Sequence, residues 1–178
     1  MARPIAFLMA AVLLLPLAAE TAEWGGIEPG VTTMGQVRQR YGPPAKETKT
    51  KVEGYDTVEW VYEGSRAPTG MMRVVVEFGL LLAGAYKAEV VRAFRLDPKR
   101  WMFGQNTIVD GWGVPDRSWA EDDNVFFFYR DGLLVTFEKD GQNVLSMYFA
   151  LPARNQPASG SPPPASPPSP AGGAPPRR

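Results

Sequence analysis

The chain has 178 residues, room for one domain of ordinary size or two very small ones, and its 19 basic and 19 acidic side chains balance to a formal net charge of zero. That balance leaves no electrostatic footprint for nucleic acid or an anionic membrane. There is no His and no Cys, which excludes disulfides, Cys/His zinc sites, thiol nucleophiles, Ser-His-Asp triads and histidine bases.

The chain opens MARPIAFLMAAVLLLPLAAETAEW, a single Arg followed by an apolar run from Ile5 to Ala19 and then small residues. A membrane-spanning helix needs about 20 apolar residues, so the pattern predicts a secretory signal peptide over residues 1–19, cut after Ala19 or, as second choice, after Ala22. No Cys follows that could be acylated, so no direct lipid anchor is expected. The protein is expected to be exported, to the periplasm or the extracellular space, with any association with the outer membrane made through a partner.

Next come two phrases on one template, TTMGQVRQRYGPP ending at Pro44 and GQNTIVDGWGVP ending at Pro115. Val37 and Ile108, Tyr41 and Trp112, Gly42 and Gly113, and Pro44 and Pro115 are each 71 residues apart, and IEP at 27–29 is echoed by LDP at 96–98. Self-similarity at a fixed offset means one supersecondary unit used twice. In the first copy Thr33 and Gln36 form a capping-box pattern. Val37 and Tyr41, four apart, share a helix face, and Gly42 followed by Pro43 and Pro44 ends the helix. The second copy has Gly104 in place of the capping Thr and Gly111 in its last turn, which predicts a shorter, poorer helix. Trp112, as the counterpart of Tyr41, is expected in the core.

Strands follow each helix. The segment KETKTK reads as a flexible basic loop; then DTVEWVYEG, RVVVEFG and AYKAEVVRAFRL alternate apolar and polar, the last with Ala88, Val90, Phe94 and Leu96 expected on one face. The second copy supplies NVFFFYRD, GLLVTFEKD and NVLSMYFAL, separated by the hairpin signals Asp131-Gly132 and Asp140-Gly141. The expected fold class is α+β: tandem units, each a helix on a three-stranded antiparallel sheet, over residues 24–95 and 96–151. The segment 152–178 is expected to be a disordered Pro/Ser/Ala/Gly-rich tail, since ten of the chain's 18 prolines lie there. It reads as a spacer or, through SPPP and PPSP, as a polyproline ligand.

Candidate sites are few. The run Glu121, Asp122, Asp123 lacks the alternating ligands and following Gly of a calcium loop and reads as a solvated turn. Asp110, Asp116 and Asp131 likewise read as turn residues, and no Gly-rich phosphate cradle occurs. No metal, no cofactor and no catalytic residue is therefore expected. The aromatics carry more. Phe126 and Phe128 fall on one face of their strand, with Val125, Phe127 and Tyr129 on the other; a strand with one wet face needs aromatics on only one side. Either the rest of the chain covers the second face or a protein partner does. Trp119, Phe127 and Tyr129 are the expected protein-binding residues, with Trp119 in DRSWAEDD the most exposed.

Ile27, Gly30, Thr33, Gln36, Val37, Gly42, Pro44, Trp60, Tyr62 and Phe78 together resemble the pattern of the BamE-like (SmpA/OmlA) outer-membrane assembly lipoproteins. The tandem is similar to the β-lactamase inhibitory protein fold. The first resemblance implies a non-catalytic binding or scaffolding module of the bacterial cell envelope with a protein partner. The absent acylated Cys departs from that family. The second implies a secreted inhibitor of an extracellular enzyme, with EGSRAPTG, Glu63 to Gly70, as its inserting loop. The sequence leaves the partner's identity and the oligomeric state open.

Overall fold

The computed structural model describes residues 21–152; the expected signal peptide and all but the first residue of the expected tail lie outside them. The first helix, α1 (Met34–Tyr41), begins with the capping box that its sequence spells. The Thr33 N–H donates to Gln36 Oε1 at 2.8 Å and the Gln36 N–H to Thr33 Oγ1 at 3.4 Å, satisfying two of the donors that a helix start leaves unpaired. Gly42 ends the helix at φ 75°, its N–H donating to the Arg38 carbonyl at 2.9 Å.

Four strands follow: β1 (Lys46–Val52), β2 (Tyr55–Glu63), β3 (Met71–Leu82) and β4 (Ala85–Pro98). The chain then repeats the order with α2 (Gln105–Trp112), β5 (Arg117–Glu121), β6 (Asn124–Tyr129), β7 (Leu133–Glu138) and β8 (Val144–Ala150). The expectation of two three-stranded units is corrected: each helix is followed by four strands, and all eight form one antiparallel sheet in the order β1-β2-β3-β4-β8-β7-β6-β5. The fold is mostly β with two short helices. The halves join where β4 pairs with β8, Ala93 opposite Ala150 through Leu96 opposite Met147. The division expected between residues 95 and 96 falls inside β4.

KETKTK is not a loop but strand β1, and the segment around Trp119 is strand β5. Both are edge strands. An edge strand pairs on one side only and needs little apolar surface, so β1 is exposed at every position but Thr48 and β5 along its whole length. The face expected for β4 is also corrected. The pairing steps from Glu77–Ala93 to Phe78–Val91 through a bulge, which shifts the alternation by one residue. Val91 is therefore buried beside Phe94 and Leu96, while Ala88 is exposed and Val90 half-buried, bridging Thr33.

One face of the sheet carries the core. Pairing aligns Tyr62, Val74, Leu96, Met147, Val135 and Phe127 across the strands, and beside them Trp60, Val76, Phe94, Phe149, Leu133 and Tyr129. Val37 of α1 and Ile108 of α2 belong to the same hydrophobic cluster, so both helices cover this one face. At the seam Phe94 and Phe149 stack with centroids 4.4 Å apart.

The second helix is not shorter than the first; each has eight residues. Gly104 supplies no side-chain cap; instead the Gln105 N–H donates to the Gly141 carbonyl, and a Cβ at Gly104 would press on the Gln142 carbonyl oxygen. The β7–β8 turn thus does part of the capping. Gly111 faces open space at an ordinary φ. Gly111→Ala is expected to raise stability by about 0.5–1 kcal/mol, and Thr33→Ala to lower it by about 1 kcal/mol; urea midpoints measured side by side check both.

Candidate protein-binding face

The repeat places matching anchors in the two halves. The Tyr62 hydroxyl donates to the Gly42 carbonyl at 3.1 Å, and the Tyr129 hydroxyl to the Gly113 carbonyl at 3.0 Å. Gly42 and Gly113 share φ of 75° and 80° and ψ of −165° and −170°. Trp60 meets Phe78 edge-on at 4.9 Å, and Phe127 meets Phe137 edge-on at 4.8 Å. Trp60-x-Tyr62 of β2 therefore corresponds to Phe127-x-Tyr129 of β6, and both pairs tie the end of a helix to the sheet.

This decides the three residues expected to bind protein. Tyr129 is 5% exposed and half-buried Phe127 is packed against the core; both belong to the helix-covered face. Trp119 is 38% exposed and lies on the opposite face, stacked on Phe126 with centroids 5.1 Å apart and planes 12° from parallel. The structure separates Trp119 from Phe127 and Tyr129 and joins it to Phe126. The signal that could have shown this was the repeat itself, since Tyr62 and Tyr129 close equivalent strands.

The face opposite the helices carries a continuous row through all eight strands: Arg117, Phe128, Leu134, Tyr148, Arg95, Val75, Val61 and Lys46. Trp119, Phe126, Thr136 and Ser146 form a shorter row beside it. Phe126, Phe128, Leu134 and Tyr148 are half-buried. Toward the middle the face turns ionic, with Arg92 donating to Glu77 at 2.6 Å and Arg95 to Asp97 at 3.0 Å. The result is an aromatic end on the second half and a charged centre.

A further aromatic is exposed. Trp101, in the loop between β4 and α2, is 74% exposed and sits at φ 67°, a region an aromatic residue adopts only under constraint. Its backbone N–H donates to Asn143 Oδ1 at 2.8 Å, and the Arg100 guanidinium lies 5.8 Å from its ring while pairing with Glu138. No local pattern announces this, because Asn143 is 42 residues away.

The expected acidic turn joins β5 to β6, with Asp123 paired to Lys139 at 2.9 Å. Asp116 pairs with Arg130 at 2.8 Å. Among the described residues no group of three or more acidic side chains is placed to hold a metal ion, and no helix is long and apolar enough to cross a membrane. A groove of about 280 Å³ runs between Thr21–Glu23 and Gly111, Trp112, Tyr129 and Asp131. Ala22 closes part of it by donating its N–H to the Asp131 carbonyl.

Burial raises the Tyr62 hydroxyl to about 12, with Arg38 pulling it down and Tyr41 pushing it up. Burial also raises Tyr148 to about 12, helped by Glu77 and opposed by Arg92. An unfolded tyrosine near 10 releases its proton first, so stability is full below that pH and falls as pH rises toward 12. Phenolate absorbance is expected to show Tyr62 and Tyr148 ionising late, in step with unfolding, and Tyr148→Phe to remove part of the loss.

No protein-family model matches the chain, and no curated protein matches it. Among solved structures it is similar to a DUF4309 family protein (YjgB) from Bacillus subtilis, at 11% identity over 71% of this chain and 83% of that one, with a TM-score of 0.44. A likeness at that level carries no argument about fold family or function.

Proposed function

We propose that the protein is a non-catalytic binding or scaffolding module of the bacterial cell envelope that captures a protein partner on the helix-free face of its sheet. The observation that carries this reading is the Trp119–Phe126 stack, continued by half-buried Phe128 and Leu134 on a face that neither helix covers. Large aromatics in a half-exposed cluster are what protein interfaces are built around. The signal-like N-terminus and the resemblance to outer-membrane assembly proteins support the envelope as its location. Glu77, Asp97, Asp116 and Glu138 are each held by an Arg, which suits structural ion pairs better than paired acid–base chemistry.

The test is capture from an envelope extract with the wild type and a Trp119→Ala/Phe126→Ala variant. The variant is expected to keep its fold and to lose about tenfold or more in capture of the same partner. Unchanged capture contradicts the assignment of this face.

A second reading, a secreted inhibitor of an extracellular enzyme, is favoured by the loop Glu63–Gly70. Arg66 donates to both the Pro43 and Pro44 carbonyls, at 3.0 and 2.7 Å, and holds the exposed loop in one shape. A pre-shaped loop suits insertion into an active site. Deleting it while inhibition of a target enzyme persists sinks that version.

A further inference from the structure

The two edges of the sheet differ in kind. Strand β1 carries Lys46, Lys49 and Lys51 against Glu47, and pairing with a second β1 about its middle residue would set Lys49 against Lys49. Lysines of this sort guard an edge. Strand β5, Arg-Ser-Trp-Ala-Glu, is exposed at every position and carries one charge of each sign at its ends with Trp119 at its centre.

We propose that β5 pairs antiparallel with β5 of a second copy of this chain, about a two-fold axis at Trp119, extending the sheet across the dimer. The backbone permits that register. The two-residue turn at Asp122 and Asp123 closes on the pair Glu121–Asn124, and such a turn closes on a hydrogen-bonded pair. By alternation Arg117, Trp119 and Glu121 bond inward to β6, while Ser118 and Ala120 present their N–H and C=O groups outward. With Trp119 on the axis, Ser118 of each copy stands opposite Ala120 of the other, so outward donors meet outward acceptors.

The same register pairs the side chains. Arg117 stands opposite the second copy's Glu121 twice, on the helix-free face that also holds Trp119. These are non-hydrogen-bonded positions, where facing side chains approach most closely. The Trp119 rings meet on the axis, each already stacked on its own Phe126. The contact is isologous and closes with two copies rather than growing into a fibre. It goes beyond the open-face reading: it shares Trp119 with that face but adds the strand edge, and sedimentation of the chain alone reads the pairing with no captured partner present.

The experiment is sedimentation of the full chain across a concentration series. Wild type is expected to pass from one chain to two. Arg117→Glu alone and Glu121→Arg alone each place like charges opposite one another at both positions, and each is expected to weaken the dimer about tenfold or more. Mixing these two variants puts Glu opposite Arg at both positions, and is expected to restore a mixed dimer. Ser118→Pro removes an outward donor that β6 does not use and is expected to abolish pairing; should that variant fail to fold, the mixing result decides. A single-chain mass at every concentration, or a dimer indifferent to both charge changes, overturns the proposal.

Discussion

Phe149→Ala is expected to destabilise the whole described fold by about 3–5 kcal/mol, the cost of emptying a large aromatic site in a closed core. Phe149 is fully buried at the seam, stacked on Phe94 from the first half and 6.3 Å from Trp112 of the second helix. It therefore supports both halves at once. Urea unfolding followed by tryptophan fluorescence and by far-ultraviolet circular dichroism is expected to shift by the same amount with an unchanged slope. Separate shifts for the two probes would mean that the halves hold independently.

Gly132→Ala is the other large effect. Gly132 sits at φ 102° in the β6–β7 turn, and a Cβ there would collide with the Ala150 carbonyl oxygen. That carbonyl belongs to the last residue of β8, whose N–H donates to the Gly132 carbonyl at 2.8 Å. The substitution strains the turn and pushes β8 away from it. A loss of roughly 2–4 kcal/mol is expected from the backbone strain and the displaced contact. Gly113→Ala, also at a positive φ but with open space around it, is expected to cost less, roughly 1–2 kcal/mol. Thermal unfolding of the two variants gives the comparison.

The contrast between these glycines shows what was legible in the sequence. Local features were readable wherever the cause was local: the Thr33–Gln36 box, the Gly42 and Gly113 stops, and the apolar alternation of β2, β3, β6, β7 and β8. What failed was set at a distance. Strands β1 and β5 are fixed by partners on one side and carry almost no buried residue, so they leave no period-two pattern. The bulge at Glu77–Phe78 is an irregularity of pairing between strands. The β4–β8 seam joins residues more than 50 positions apart, which no window of sequence contains.

Of the site, Trp119 was readable as an isolated aromatic among polar neighbours. Phe127 and Tyr129 were grouped with Trp119, but they lie on the helix-covered face. Alternation says which residues share a face but not which face the helices cover. Only the match between Tyr62–Gly42 and Tyr129–Gly113 settles it. The constrained setting of Trp101 was not legible because the side chain that holds its backbone lies on another turn.

The two helix-bearing halves are expected to unfold as one cooperative body closed by the β4–β8 seam. Native-state hydrogen exchange tests it most directly. The slowest amides of β2 and β3 and those of β6 and β7 are expected to open with one shared free energy, equal to that of global unfolding. Two distinct plateaus, one for each half, would contradict it.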